Sequence, residues 1–412
     1  MTSGSETLPD ASSSPVSASG AAPAKKDVAP GPAAGDRYTA LDGLRGIAAL
    51  VVVFHHSLLT ASLLARPYRE HALELDGIFR VLTYTPLHLP WAGTEAVMVF
   101  FVLSGFVLVL PFDRPGPKRL ARYYSQRLTR LYLPIWASVT FAVMLATIFP
   151  LAATHTSWWV NAHAGTVTSD SVLHQMTVVR GVTFLDSPLW SMRWEVIFSL
   201  LLPLFLIGAL WWRKAALLKI ALLAAVLLYA WSTGRHASML YLPVFGIGCC
   251  LAAIRTQISA FMIRIGRPGF WVLLLVSLGL LSVTWISPSI NSDLHLHARA
   301  MVLMILGGAL LVALFVGSPT AAVIGNSAVC RWLGTISFSL YLTHEPIVIA
   351  VANLWPSMNA GVVLIVVTAV SLPVAVVFQR IIERPAHLFS RRVGAAVGSV
   401  EDRLFSGSGK HR

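Results

Sequence analysis

Apolar stretches long enough to cross the hydrocarbon core of a bilayer, about 30 Å thick, recur ten times along this chain. Hydrophobic residues make up 56% of its 412 residues and charged residues only 12%, which excludes a soluble enzyme of two domains. The sequence therefore predicts an all-α, polytopic membrane helix bundle of about ten transmembrane helices. The predicted spans are residues 44–64, 89–112, 131–151, 189–211, 217–232, 239–254, 269–287, 300–318, 334–353 and 361–381.

The distribution of basic residues predicts the orientation of this bundle. When the amino terminus is placed inside, 24 of the 31 lysines and arginines fall in cytoplasmic segments, as the positive-inside rule requires. We therefore expect both termini to be cytoplasmic and the protein to lie in the plasma membrane. The Ala-rich, Arg-over-Lys composition points to a bacterial inner membrane. Topology and anionic lipid headgroups account for the formal charge of +13 without nucleic acid.

Composition divides the chain into three regions. Residues 1–36 are rich in Ala, Ser, Pro and Gly and nearly lack large apolar side chains, which predicts a disordered cytoplasmic tail. Residues 37–387 form the predicted transmembrane domain, and residues 388–412 a basic cytoplasmic tail. The three cysteines show no metal-ligand spacing, so neither a metal site nor a disulfide framework is expected.

The first span carries ionisable residues, which are costly at membrane depth and usually functional. Arg45 and His56 are separated by eleven positions, which places them on one helix face about 16 Å apart. His55 and His56 point about 100° apart, so at least one of them needs a polar partner or a wet cavity. Arg45 by itself is also consistent with a headgroup anchor.

The second and third spans carry further polar groups. Ser104 and Gly105 form a pair that also serves close helix packing, whereas Glu95 is expected near the outer surface and in contact with water. Arg127 and Arg130 lie one turn apart on one face at the cytoplasmic start of the third span. Their spacing suits bidentate binding of phosphate oxygens. Lipid phosphate would explain the same pair.

The fourth span predicts a polar cavity between helices. Ser191 and Glu195 share one helix face, whereas Arg193 and Glu195 are two positions apart and diverge. Each of these two charged side chains must therefore reach another helix or water.

The ninth span carries a polar stripe of Ser337, Tyr341 and His344, which follow helical spacing. The predicted depth of His344 matches that of His56. One shared site explains the two deep histidines better than two unrelated ones.

Taken together, these segments resemble the acyltransferase-three family of integral-membrane O-acyltransferases. The resemblance rests on six motifs that occur in the family order between residue 37 and about residue 387. The motifs are Leu41–Ala49 with His56, Phe100–Phe106, Arg127 with Arg130, Trp190-Ser191 with Glu195 and Phe198, Ser339–His344, and Glu383–Pro385. The chain departs from many members at Met98, where an acidic residue is usual and the nearest acid here is Glu95.

The resemblance implies transfer of an acyl group, most often acetyl, from cytoplasmic acyl-coenzyme A to a hydroxyl of a glycan or a sugar-bearing metabolite such as a macrolide. Acyl-coenzyme A is then a co-substrate, and no permanently bound cofactor is expected. The partners that follow are acyl-coenzyme A, a carbohydrate or glycosylated acceptor, and membrane lipid. We expect Arg45, Arg127 and Arg130 to hold the coenzyme A phosphates.

The same resemblance assigns a catalytic set. His56 would act as the general base that removes the proton of the acceptor hydroxyl. His344, Ser104 or Tyr341 would donate a hydrogen bond to the developing oxyanion, and Glu195 and Arg45 complete the set. Direct transfer and a transient acyl-histidine are both compatible with these residues.

Two other classes of protein remain open from the sequence. A proton-coupled transporter or flippase of a lipid-linked or sugar substrate would use the deep histidines and glutamates as a proton relay. That class predicts inverted repeats, which the sequence does not show. A membrane sensor or scaffold would not explain why two histidines lie deep in the membrane.

Overall fold

The fold is helical throughout the part of the chain that the structure describes. A computed structural model describes residues 38–70, 73–113, 119–150, 154–234 and 236–407. Every regular element within these ranges is a helix, so the all-α prediction is confirmed. The predicted disordered tail, residues 1–36, lies outside the described residues.

Seventeen α-helices follow one another in the described ranges, and short 3₁₀ turns join several of them. They are α1 (Thr39–Leu58), α2 (Ser62–Ala65), α3 (Gly77–Thr83), α4 (Gly93–Val109), α5 (Leu120–Ile148), α6 (Trp158–Asn161), α7 (Ser169–Thr177), α8 (Leu189–Leu210), α9 (Ala216–Thr233), α10 (Ala237–Ala253), α11 (Arg255–Ser282), α12 (Pro288–Ser292), α13 (Leu294–Gly317), α14 (Pro319–Gly325), α15 (Ala328–Leu354), α16 (Ala360–Phe378) and α17 (Arg384–Gly407). Gly266 divides α11 into two halves, because its φ of 61° is left-handed.

Ten of these helices coincide with the ten predicted spans. Eight helical stretches in the described ranges are long and apolar enough to cross a bilayer. The apolar helices α4 and α10 have 17 residues each and are shorter than these eight. The chain is a multi-pass membrane protein.

Close contact between α1 and its neighbours organises the centre of the bundle. A Cβ atom on Gly46 would overlap the backbone of Leu333 and Gly334, at the start of α15. A Cβ atom on Gly43 would overlap the carbonyl group of Gly325 in α14. Small residues at these positions let the helices approach closely, which brings the polar side chains of α1 and α15 into contact.

The segment of residues 154–188, which connects α5 to α8, folds against the carboxyl end of α1. Ser157 Oγ donates to the carbonyl oxygen of Leu59 over 2.7 Å, and Trp158 Nε1 donates to that of Ala65 over 2.9 Å. These bonds fasten the segment to the chain that follows α1. Both α6 and α7 belong to it.

The C-terminal helix α17 lies along α5. The predicted basic tail begins inside this helix, which extends through the last described residue, Gly407. Its buried positions Ala386, Ser390, Gly394 and Gly398 recur every four residues and form one face. Charged residues occupy the exposed side, so α17 is amphipathic.

Candidate active site

Two histidines from α1 and α15 meet inside the bundle. His56 Nδ1 lies 2.8 Å from His344 Nε2, and the planes of the two rings differ by 10°. His344 is fully buried and His56 is half-buried. The structure thus brings the two deep histidines into one site, as the sequence predicts.

The hydrogen-bond partners of this pair fix where its protons lie. His344 Nδ1 lies 2.8 Å from the carbonyl oxygen of Tyr341 and 3.1 Å from that of Leu340. Because carbonyl oxygens only accept, this nitrogen carries a proton, and Nε2 of the neutral ring is an acceptor. His56 Nδ1–H therefore donates to His344 Nε2. Within the described residues no hydrogen bond occupies His56 Nε2, so its lone pair is available as a base.

An indole ring lies against the His56 imidazole. The ring centroids of Trp159 and His56 are 5.3 Å apart and their planes differ by 11°. Trp159 is buried in α6, and its carbonyl oxygen accepts a hydrogen bond of 2.8 Å from His163 Nδ1. Sequence reasoning did not single out Trp159, because the contact comes from a connecting segment rather than from a predicted span.

A buried acidic cluster begins one residue beyond His344. Glu345 accepts hydrogen bonds from the backbone N–H of Ser187 and, over 2.5 Å, from its hydroxyl. The same carboxylate lies 3.3 Å from His163 Nε2. Asp186 is fully buried, and in the described ranges neither of its carboxyl oxygens has a hydrogen-bond partner. Sequence analysis gave Glu345 no role, although an ionisable residue inside an apolar span is itself a functional signal.

The two members of this cluster in the 154–188 segment have shifted pKa values. Burial, reinforced by the charge of Glu345, raises the pKa of Asp186 well above its usual range. Burial alone would lower the pKa of His163, but the negative charge of Glu345, 3.3 Å from Nε2, outweighs burial and raises it. Both shifts favour the protonated form of the side chain, which is neutral for Asp186 and charged for His163.

Tyr341 joins the polar faces of α8 and α15. Its hydroxyl lies 2.7 Å from Ser191 Oγ and 3.1 Å from the carbonyl oxygen of Pro188. Its ring centroid is 5.9 Å from that of His344. The stripe predicted on the ninth span thus faces α8 as well as α1.

A second polar group joins α4, α5 and α8. Ser104 Oγ donates to Glu195 Oε1 over 2.6 Å, and Arg127 pairs with the same oxygen. Arg127 Nε also donates to Ser199 Oγ over 3.2 Å. The side chains of Arg127 and Glu195 are only 15% and 14% exposed. Glu195 therefore reaches across to other helices, as its divergence from Arg193 predicts.

Arg45 connects α1 to α15 at a point about three helical turns from His56. Its Nε donates to Ser337 Oγ over 3.0 Å, and its Nη2 lies 3.3 Å from Asp42 Oδ1 and 3.4 Å from the carbonyl oxygen of Gly334. The side chain remains 38% exposed. Arg45 and His56 thus both contact α15, which confirms that they share one face of α1.

Arg45 and Arg130 act on a common carboxylate. Their charges both bear on Glu383, which accepts a 2.6 Å hydrogen bond from Ser339 Oγ. Arg130 is exposed, whereas Arg127 turns to the carboxylate of α8. The structure therefore separates the environments of Arg127 and Arg130, although the two residues are one turn apart.

Glu95 is buried, so the expectation that it contacts water is wrong. Its Oε1 accepts hydrogen bonds of 3.0 Å from Thr284 Oγ1 and from Trp285 Nε1. The 3₁₀ turn that carries these two donors covers the start of α4. His55 points toward this side of the bundle, where its Nδ1 lies 3.0 Å from the carbonyl oxygen of Trp91.

Sequence comparison identifies the class of enzyme to which this geometry belongs. A sequence model described as an acyltransferase domain matches residues 38–380. The chain belongs to this acyltransferase family. The match covers α1 through α16, which contain both polar groups described above.

Two relatives of this acyltransferase carry names that agree with the assignment. Acyltransferase MdmB of Streptomyces mycarofaciens is 25% identical over 347 residues, covering 74% of this chain and 84% of the relative. Peptidoglycan O-acetyltransferase OatA of Listeria monocytogenes is 24% identical over 317 residues, covering 68% of this chain and 50% of the relative. The match thus spans half the length of OatA. Comparison with solved structures gives no match.

In this acyltransferase, the structure joins most of the predicted residues into two polar groups. The groups are His56 with His344, and Ser104 with Glu195 and Arg127. Tyr341 and Ser191 lie between them, because Ser191 is one helical turn from Glu195 on α8. In the described ranges no cluster of three or more potential metal ligands is present.

Proposed function

We propose that this acyltransferase moves an acyl group from acyl-coenzyme A to a hydroxyl of a glycan or a sugar-bearing metabolite. Acetyl is the acyl group that we favour. The observation that carries the proposal is the unoccupied Nε2 of His56, whose ring is oriented by His344. A neutral imidazole is suited to act as a base at physiological pH. The name of the relative OatA supports a hydroxyl acceptor on a glycan.

In the proposed step, the acceptor O–H bond breaks and its proton moves to His56 Nε2 while the oxygen bonds to the acyl carbonyl carbon. The bond between that carbon and sulfur then breaks, and His56 returns the proton to the sulfur of coenzyme A. The products are the ester and free coenzyme A. Attack by His56 itself would give a transient acyl-histidine; we favour direct transfer.

Tyr341 is the best placed of the three proposed oxyanion donors. His344 Nε2 accepts from His56 in the neutral pair, and Ser104 donates its proton to a carboxylate of α8. The Tyr341 hydroxyl has two alternative partners, Ser191 and a backbone carbonyl oxygen, and can exchange one of them for the substrate. A hydrogen bond formed in a site that excludes water stabilises the oxyanion strongly.

Arg45 and Arg130 are proposed to bind the coenzyme A phosphates directly. Both retain exposed surface, and guanidinium groups bind phosphate oxygens in bidentate fashion. Arg127 belongs to the same proposed phosphate-binding region. We call the region that Arg45, Arg127 and Arg130 form the mouth. The ion pair of Arg127 with Glu195 supports a contribution through the shape of the mouth in addition to any contact with phosphate.

We also propose ten membrane crossings, with both termini in the cytoplasm and the protein in a bacterial inner membrane. Helices α4 and α10 have the minimum length for a span and would complete the set of ten. In this orientation the Arg45 end of α1 faces the cytoplasm, where acyl-coenzyme A is available. His56 then lies about 16 Å further into the bundle.

Purified protein in lipid nanodiscs, incubated with radiolabelled acetyl-coenzyme A, tests this function. Peptidoglycan fragments and a glycosylated macrolide serve as candidate acceptors. We expect an alkali-labile labelled ester on one of them, with stoichiometric release of free coenzyme A. Movement of a sugar substrate across vesicles without ester formation would instead favour a transporter or flippase. Comparing metabolites of a deletion strain with its parent then identifies the natural acceptor.

A further inference from the structure

A chain of contacts links the acidic cluster of α15 to the His56 ring. Glu345 lies 3.3 Å from His163 Nε2, and His163 Nδ1 donates to the carbonyl oxygen of Trp159 over 2.8 Å. The Trp159 indole then lies nearly parallel to the His56 imidazole, with ring centroids 5.3 Å apart. Apart from His56, all these residues are at least nine-tenths buried.

Glu345 holds the 154–188 segment from α15, in addition to the hydrogen bonds by which Ser157 and Trp158 attach it to the chain after α1. Glu345 contacts the segment at two places: His163 near its start and Ser187 near its end. A single carboxylate of α15 thus fastens both ends of the segment. This attachment therefore contributes to the position of the Trp159 ring.

We propose that Trp159 is a positioning residue of the acyl transfer: its indole face orients the His56 ring and stabilises the positive charge that His56 acquires, and Glu345 holds Trp159 there through His163. The inference rests on the proposed function, because it assumes that His56 accepts the acceptor proton. It adds three residues for which sequence reasoning found no role: Trp159, His163 and Glu345.

The physical basis of the proposal is the difference between the neutral and the protonated state of the His56 ring. Against neutral His56 the indole makes an ordinary stacking contact, whereas against protonated His56 it makes a cation–π contact. The second contact is the stronger one in a desolvated site, so Trp159 favours the charged state that forms during proton transfer. Glu345 also balances the charge of His163, which would otherwise repel the charge on His56.

Several titratable groups face this contact and contribute to its pH dependence. His344 hydrogen-bonds to His56, and His163 contacts Trp159 with a centroid separation of 4.7 Å. In the described part of the chain, the titratable groups that act on this cluster include His55, His163, His344, Glu345, Asp186 and Tyr341. Any pH profile must therefore be compared between variants that differ at one position only.

Trp159→Leu, Trp159→Phe and the exposed Trp211→Phe form a matched series. We expect Trp159→Leu to lower kcat about tenfold at saturating acetyl-coenzyme A, with an unchanged KM for that substrate. Trp159→Phe keeps a smaller aromatic face and should recover most of the loss. Trp211→Phe should stay within twofold, because Trp211 is 76% exposed and lies outside the 154–188 segment. Equal kcat in Trp159→Leu and wild type would overturn the proposal.

Glu345→Gln and Ser187→Ala separate the effect of the Glu345 charge from the effect of its hydrogen bonds to Ser187. Glu345→Gln should lower kcat about tenfold and move the ascending limb of the kcat–pH profile to lower pH, since protonated His56 loses support. Ser187→Ala removes one hydrogen bond and no charge, so kcat should stay within threefold. A Glu345→Gln enzyme that only melts earlier, with kcat and pH profile unchanged, would contradict the role of the carboxylate.

A fluorescence measurement distinguishes failure of this proposal from failure of the proposed function. A protonated imidazole quenches an adjacent indole, so the wild-type minus Trp159→Phe difference spectrum should lose intensity as pH falls. That loss should be clearly smaller in His56→Ala, where only the quenching by His163, with its ring centroid 4.7 Å from that of the indole, remains. If no acceptor is ever labelled, the proposed function fails while this signature still decides the Trp159–His56 contact. A pH response that persists unchanged in His56→Ala would overturn the contact itself.

Discussion

His56 Nδ1 and His344 Nε2 are joined by a hydrogen bond of 2.8 Å between the first and ninth predicted spans. The backbone carbonyl oxygens around His344 Nδ1 determine the direction of this bond and leave His56 Nε2 as the available base. His344 thus acts on the reaction through the ring that it orients.

Loss of His344 should impair catalysis without impairing binding of the donor. His344→Ala removes the acceptor of His56 Nδ1–H, so kcat should fall by about two to four orders of magnitude, as for other oriented general bases. His344→Gln retains an acceptor oxygen and should lose less. Initial rates at saturating acetyl-coenzyme A test this order; equal rates for His344→Ala and wild type would refute the orienting role.

The ion pair of Arg127 and Glu195 should matter for stability. Removing either partner leaves a largely buried charge, which costs about 3 kcal/mol of unfolding free energy. The double variant Arg127→Met, Glu195→Leu should recover much of that loss. Thermal melts in detergent measure all three, with Lys214→Ala at an exposed position as a control of unchanged stability. Additive losses in the double variant would contradict the pairing.

Donor affinity should distinguish the arginines of the proposed mouth. Arg130→Ala and Arg45→Ala should each weaken coenzyme A binding about tenfold, because each removes a charge-assisted contact to phosphate. Titration of radiolabelled coenzyme A into nanodiscs provides the measurement. Unchanged affinity in an Arg127→Ala, Arg130→Ala double variant would reject a phosphate role for this pair.

The close packing of α1 on α15 should not tolerate a side chain at position 46, where the residue is Gly46. Gly46→Ala would force the backbone of α15 outward, at a cost of about 1 to 3 kcal/mol. Gly279→Ala in α11 meets open space and should be neutral or slightly stabilising. Melting temperatures of the two variants provide the comparison, and equal effects would argue against close packing of α1 on α15.

Asp186 and Asp113 should respond oppositely to replacement by asparagine. Burial raises the pKa of Asp186, so folding costs free energy once the unfolded carboxyl ionises, and Asp186→Asn should stabilise increasingly as pH rises above about 4. Burial would also raise the pKa of Asp113, but hydrogen bonds from Arg213 and Arg255 lower it. Asp113 therefore contributes stability above about pH 4 that is lost as pH falls, and Asp113→Asn should destabilise there.

Melts of both aspartate variants from pH 4 to pH 8 test these signs. For Asp186→Asn the difference from wild type should grow with pH in favour of the variant. For Asp113→Asn it should grow against the variant. A stability of Asp186→Asn that falls relative to wild type as pH rises would mean that Asp186 is ionised in the folded protein.

Helical periodicity was enough to predict the parts of the site that lie on spans. Arg45 and His56 are fixed on one face by helical spacing, and Ser337 and His344 by the same rule on α15. Two helices with matching polar positions have few ways to pack that satisfy both. The contacts from Arg45 to Ser337 and from His56 to His344 are the result.

The sequence could not predict how the 154–188 segment folds into the bundle. Its short helices and its bonds to α1 depend on tertiary contacts, and connecting segments carry no periodic signal. Trp159 and His163 were therefore missed. Glu95 was placed in water for a related reason, because the turn that carries Thr284 and Trp285 covers it only in three dimensions.

The most direct test of the account compares acetyl transfer by His56→Ala and His55→Asn. Both proteins are purified in nanodiscs, matched for melting temperature, and supplied with radiolabelled acetyl-coenzyme A and the acceptor that wild type labels. We predict no labelled ester above background for His56→Ala and at least a third of the wild-type rate for His55→Asn. A folded His56→Ala enzyme that transfers acetyl at the wild-type rate would contradict the assignment of His56 as the base.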